Sequence, residues 1–120
     1  MLVSFVIPFY NEEENLFEFL TLLKESIDLL EEYEFEIILI NDSSSDNGRE
    51  LVLDFIKDDD RFKLIDNIKN SGQTVCFLKG FSMVKGEYTF RIDSDLQDNP
   101  GDLKYFISKK RLINYWVNQP

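Results

Sequence analysis

Two aspartates with a single residue between them, Asp93 and Asp95, follow the apolar run Tyr88–Ile92. In an extended segment, residues at that spacing point to the same side. Carboxylates so close repel one another unless a positive group neutralises them. Oxygen ligands without His or Cys suit Mg²⁺ or Mn²⁺ rather than zinc. The plainer alternative is a solvated acidic turn, with Asp98 capping the next helix. A further carboxylate, Asp42, follows another apolar run, in Asn41-Asp42-Ser43-Ser44-Ser45-Asp46. It could accept a hydrogen bond from a nucleobase N–H, with Tyr10 beside it for stacking. Equally, such residues form plain turns by bonding their own backbone, Tyr10 could simply pack, and Glu12 could be a first-turn acid favoured by the helix dipole. Asn70-Ser71-Gly72-Gln73 reads as a helix start whose backbone N–H groups could face phosphate. Glu12-Glu13-Glu14 and Asp58-Asp59-Asp60 read as solvated surface.

Composition narrows the chemistry. The 120-residue chain carries a net charge of −10, no histidine and one cysteine, Cys76. The acidic balance argues against a nucleic-acid partner, which needs clustered Lys and Arg, but a metal ion can still bridge carboxylates to a nucleotide's phosphates. Without histidine there is no Ser-His or Cys-His pair. A lone cysteine makes no internal disulfide, so a reducing, cytoplasmic setting is expected. No apolar run approaches the roughly 20 residues that span a bilayer, and the N-terminus does not read as a signal peptide. The length suits one domain.

Strand-like and helix-like runs alternate to position these residues. Val3–Pro8 reads as a buried strand. Leu16, Leu20, Leu23, Ile27 and Leu30 lie on one helix face. Glu36–Asn41 is apolar on both sides, as a central parallel strand should be. Asp46 or a neighbouring serine is a candidate N-cap for a helix through Leu51, Val52, Phe55 and Ile56. Arg61–Asp66 is a shorter strand. A third helix is expected to carry Val75, Leu78 and Phe81 inward and to close at Gly86. Tyr88–Ile92 is a fourth strand, Pro100 opens a short helix, and Ile113–Val117 is a fifth strand. This order predicts an α/β, Rossmann-like, mostly parallel sheet with helices on both faces and right-handed crossovers. Val3–Pro8 and Glu36–Asn41 are expected as adjacent central strands. Ligands of such sheets bind beyond the carboxyl ends of the strands, where the acidic corners fall.

Four segments in order, FVIPFYNEEENL, EIILINDSSSDNG, KNSGQTVCFLKG with the following KGEY, and RIDSDLQDNP, resemble the family-2 glycosyltransferases, which have the GT-A nucleotide-sugar-binding fold. DSDLQDNP looks most like the branch that glycosylates polyprenyl phosphates, in cell-wall or cell-surface polysaccharide synthesis. Asn41 and Ser43 are common variants of the family's Asp and Gly. Lys69 replaces the more usual Arg, keeping charge but losing a bidentate fork, and Ser71 replaces a common aromatic. The resemblance covers residues 2 to about 118, and family catalytic domains run to about twice this length. It therefore implies the N-terminal, donor-binding half of an inverting, metal-dependent transferase. The acceptor site and catalytic carboxylate would be C-terminal to this chain, which by itself would bind donor without turning it over.

By the resemblance, Pro8, Tyr10, Glu12, Asp42, Lys69, Asp93 and Asp95 bind a UDP- or GDP-sugar. Asp95 and Asp93 hold Mg²⁺ or Mn²⁺, and Gln97 and Asp98 are accessory. The acceptor would be a lipid phosphate or a glycan, which would bring the full enzyme to the cytoplasmic face of a membrane. Apolar surface that a missing half would cover could promote self-association. A receiver-type switch module would need an acidic pair after the first strand, where Pro8-Phe9-Tyr10-Asn11-Glu12 stands. A sugar-nucleotidyltransferase opens with a glycine-rich loop, and no glycine precedes Gly48. A folded, weakly nucleotide-binding, non-catalytic fragment is the third alternative.

Overall fold

The computed structural model describes residues 1–92 and 94. Their elements run β1 (Leu2–Phe9), α1 (Glu13–Leu29), β2 (Glu34–Asn41), α2 (Gly48–Ile56), β3 (Phe62–Asp66), α3 (Gln73–Phe81) and β4 (Tyr88–Arg91). The four strands form a parallel sheet of order β3-β2-β1-β4. The two long apolar runs are thus the adjacent central strands. The expected helix from Pro100 and strand at Ile113–Val117 lie outside the described residues.

Strand alternation sorts side chains into two cores. Val3, Phe5, Ile7 and Phe9 of β1, with Phe35, Ile37 and Leu39 of β2, meet Leu16, Phe19, Leu20, Leu23 and Ile27 of α1 and Val52 of α2. The Phe5 ring stacks on Phe35 at 5.7 Å and lies 5.5 Å from Phe90 of β4, so aromatics tie the central strands to one edge. On the opposite face Val6, Ile38 and Ile40 pack against Cys76 and Phe77 of α3.

The inward face of α3 differs from the expected one. Cys76, Phe77 and Gly80 are buried, whereas Val75, Leu78 and Phe81 are exposed. Close approach is the reason. A Cβ on Gly80 would run into Val6 Cγ1 and would come within 3.0 Å of Ile40 Cδ1. The helix therefore lays Gly80 and Cys76 close on the sheet beside Phe77 and turns the Val75, Leu78 and Phe81 stripe outward. Gly86 does not close this helix, which ends at Phe81. Its N–H donates to Ser4 Oγ at 3.0 Å, and a Cβ there would stand 3.0 Å from the Leu2 carbonyl oxygen. Helix α2 has Asn47, not Asp46 or a serine, at its N-cap position. Nor is Asp59 simply solvated. It accepts from Lys24 at 2.9 Å and Arg61 at 2.7 Å, and the Arg61 hydrogen bonds hold its carboxyl far below the ordinary range.

The start of β4 is pinned by a buried carboxylate. Glu36 Oε1 accepts from Ser4 Oγ and from the Lys85 N–H, both at 2.6 Å. Burial pushes its pKa up, but these bonds, the Lys63 charge and the Gly86 N–H outweigh that and leave it below the ordinary 4.5. A depressed folded pKa contributes stability above the unfolded value, lost as pH falls through the folded one. Glu36→Ala is expected to cost about 2–4 kcal/mol at pH 7, because it strands the buried Ser4 hydroxyl and the part-buried Lys85 N–H. In denaturant titrations the gap between wild type and variant should narrow below pH 4.5. A gap independent of pH would show that the charge is immaterial.

Candidate functional site

The carboxyl ends of β1 and β2 and the start of α3 meet around a cleft. Two of these corners are stapled by one side chain. Asn11, just past β1 with φ 51°, accepts through Oδ1 from the N–H of Ser45 at 2.8 Å and of Asp46 at 3.3 Å. Its own N–H donates to Ser44 Oγ at 3.1 Å. Asp46 completes the tie by accepting from the N–H of Glu13 at 3.1 Å and of Gly48 at 3.0 Å, serving the first turns of α1 and α2.

Asp42, 4% exposed, joins the second corner to the third. Its Oδ1 accepts from Asn67 Nδ2 at 2.9 Å and from the Ser71 N–H at 2.8 Å. Its Oδ2 accepts from the Gly72 N–H at 2.9 Å. Burial pushes the Asp42 pKa up, but the Asn67 amide, the Ser71 and Gly72 N–H groups and the Cys76 thiol hold it below the ordinary carboxylate value. Gly72, at φ 88°, supplies the left-handed turn that aims these amides. The Ser71 and Gly72 N–H groups are thereby spent on Asp42, which corrects the expectation that they face phosphate. The Cys76 thiol is pushed up to about 11 by burial and by the nearby Asp42 charge.

Pro8, Tyr10, Glu12 and Asp42 all line the cleft, joined by Asn70, Gln73 and Cys76. The Tyr10 residue is 47% exposed, leaving a ring available for stacking. Glu12 occupies the N-cap position of α1, and its carboxylate accepts from Asn15 Nδ2 at 3.1 Å. Lys69 stands apart from the wall, exposed on its loop, with its carbonyl accepting from the Ser71 hydroxyl at 3.1 Å. Ser94, 4% exposed, lines the cleft where β4 runs out. Asp93 and Asp95, its neighbours in sequence, lie outside the described residues, as do Gln97 and Asp98. Among the described residues no three His, Cys, Asp or Glu side chains cluster as a metal site.

The model of the family described as glycosyl transferase family 2 matches residues 4–112. The chain belongs to that family. An undecaprenyl-phosphate 4-deoxy-4-formamido-L-arabinose transferase of Pseudomonas fluorescens is 36% identical over 112 residues, covering 92% of this chain and 32% of the relative. A glycosyltransferase of Bacillus subtilis, YkcC, is 35% identical over 106 residues, covering 88% and 32%. The chain thus spans about a third of the length of these relatives. The fold is that of the GT-A glycosyltransferases. A Pyrobaculum calidifontis mannosyltransferase in complex with GDP-Man and Mn²⁺ superposes with a TM-score of 0.75 at 18% identity, over 98% of this chain and 32% of that one. Staphylococcus aureus TarS in complex with UDP superposes at 0.70 and 24% identity, over 92% and 33%.

The structure explains one variant of the family pattern and shows the strain carried by another. Asn41 Nδ2 donates to Asp66 Oδ1 at 3.0 Å, so an Asp at this position would set two carboxylates against each other. Ser43 sits at φ 66°, which a glycine adopts freely and a residue with a Cβ adopts under strain. Ser43→Gly is expected to raise stability by about 0.5–1 kcal/mol and Ser43→Val to lower it by about 1 kcal/mol or more. Thermal unfolding of the two variants checks this, and a stabilising valine would contradict it.

Proposed function

We propose that this chain is the donor-binding part of an inverting, metal-dependent glycosyltransferase that moves a sugar from a nucleoside diphosphate to a polyprenyl phosphate. The observation that carries the reading is the buried Asp42 carboxylate. It sits in a cleft at the carboxyl ends of β1 and β2, whose lining also includes the half-exposed Tyr10. Asp42 accepts from the base, Tyr10 stacks on it, and Pro8 and Glu12 wall the nucleoside. Lys69, on the neighbouring loop, offers charge to the diphosphate. The names of the P. fluorescens relative and of the UDP and GDP-Man complexes support the acceptor and donor classes.

Asp93 and Asp95 would hold Mg²⁺ or Mn²⁺, with Gln97 and Asp98 as accessory contacts. The wall position of Ser94, between them in sequence, supports this, as does an all-oxygen donor set. Such a cation supplies Lewis-acid neutralisation of the charge gained by the departing diphosphate. An acceptor that is already an anionic phosphate needs no strong base, which agrees with a chain lacking histidine. No residue here is assigned as a catalytic base. Among the described residues no helix is long and apolar enough to cross a membrane. The cytoplasmic face of a membrane is the proposed working place of the full enzyme. Self-association through the exposed Val75, Leu78 and Phe81 stripe is a secondary expectation.

Isothermal titration with UDP and GDP, in Mn²⁺ and in EDTA, tests the reading. Binding should require the metal, and Asp95→Asn should abolish that requirement along with most of the affinity. Tyr10→Ala, at an exposed position, should weaken binding about tenfold through lost stacking. Equal affinity in Mn²⁺ and EDTA would refute the metal role.

A further inference from the structure

We infer that Asn67 is a positioning residue of the donor site, and that Lys79 holds it in its working orientation. The inference rests on the donor-site reading above and concerns how Asp42 is aimed. Asn67 follows β3, and its N–H extends the sheet ladder to the Asn41 carbonyl at 2.9 Å. Its side chain stands between three groups. Lys79 Nζ donates to Asn67 Oδ1 at 2.8 Å. Asn67 Nδ2 donates to Asp42 Oδ1 at 2.9 Å and reaches Cys76 Sγ at 3.3 Å. An ammonium only donates and an ionised carboxylate only accepts, so the amide has one chemically sensible orientation.

The chain of contacts has a direction. The Lys79 charge polarises the amide and strengthens its bond to the Asp42 anion. With the Ser71 N–H also on Oδ1, that oxygen is filled. Among the described residues Oδ2 accepts a single N–H, that of Gly72. An ionised carboxylate offers about four acceptor sites. Asn67 therefore directs the remaining capacity of Asp42 to Oδ2, the oxygen left for a base N–H. Helix α3 grips Asp42 twice, directly through Gly72 at its N-cap and indirectly through Lys79 in its last turn. Asparagine supplies both the acceptor for Lys79 and the donor for Asp42. An aspartate would oppose Asp42, and an aliphatic side chain would leave Lys79 and Oδ1 without their partner.

The test uses Asn67→Ala, Asn67→Asp, Lys79→Met and Lys79→Arg in the 120-residue chain. Three readouts are taken: thermal midpoint, the amide proton shifts of Ser71 and Gly72 without nucleotide, and Kd for UDP and GDP with Mg²⁺. Asn67→Ala should weaken nucleotide binding about tenfold, and Asn67→Asp more. Lys79→Met should weaken it severalfold at a nearly unchanged midpoint, with Lys79→Arg restoring it, which a merely structural lysine would not require. The Ser71 and Gly72 amide protons should shift in Asn67→Ala. A folded Asn67→Ala that binds nucleotide as wild type does would overturn the inference. If Asn67→Ala does not fold, equal affinities for wild type, Lys79→Met and Lys79→Arg would overturn it. If wild type binds neither nucleotide, the donor-site reading fails by itself. The amide shifts then decide: movement in Asn67→Ala, or in Lys79→Met where the alanine does not fold, upholds the positioning of Asp42, and constancy rejects it.

Discussion

A carboxylate held away from water needs donors, and the Asp42 carboxylate takes three from the corner after β3. Those bonds overcome the cost of its burial and keep it ionised. They also fix the loop that leads into α3, since Ser71 and Gly72 bond through their backbone. A neutral Asp42 would offer that loop weaker acceptors, so the shape of the cleft and the charge within it are a single property. The raised pKa of Cys76 belongs to the same balance, because a thiolate beside the anion would be repelled.

A second buried carboxylate works at the other end of β2. Glu36 fixes Ser4 and the Lys85 N–H at the entry to β4, while Asp42 fixes the corner at the exit of β2. Between them the sheet must accept α3 at close range, which Gly80 and Cys76 permit. With the register of β4 set at its start, the strand delivers Ser94 to the cleft wall beside Asp42 and Pro8. Packing at the base of the sheet and chemistry at its top are thus linked through strand register.

Most of the frame was legible in the sequence because parallel central strands are continuous apolar runs. Val3–Pro8 and Glu36–Asn41 had to be buried on both faces, and turn residues marked their ends. The α1 stripe was equally plain, although Phe19 joins its buried face. Helix α3 departs from the hydrophobicity ranking, which puts Val75, Leu78 and Phe81 ahead of Cys76 and Gly80, because a helix this close to a sheet seats small residues beside Phe77 on its inner face. Glycine suits a helix end, the role the sequence suggests for Gly86, and its close approach to Ser4 is visible only in three dimensions. Within the site, Pro8, Tyr10, Glu12 and Asp42 were legible as residues at strand ends. Asn67 was not, since its partnership with Asp42 depends on the pairing of Asn41 with Asp66. Asn11 carried a faint signal, being a residue type that tolerates the left-handed region at a strand exit.

Chemical-shift mapping of the ¹⁵N-labelled chain with UDP and with GDP, each with Mg²⁺, is the most direct measurement of where donor binds. The account predicts that the largest changes fall on Tyr10, Asp42, Asn70–Gln73 and Ser94, and that they vanish in EDTA. Perturbations centred elsewhere, or identical with and without Mg²⁺, would contradict it.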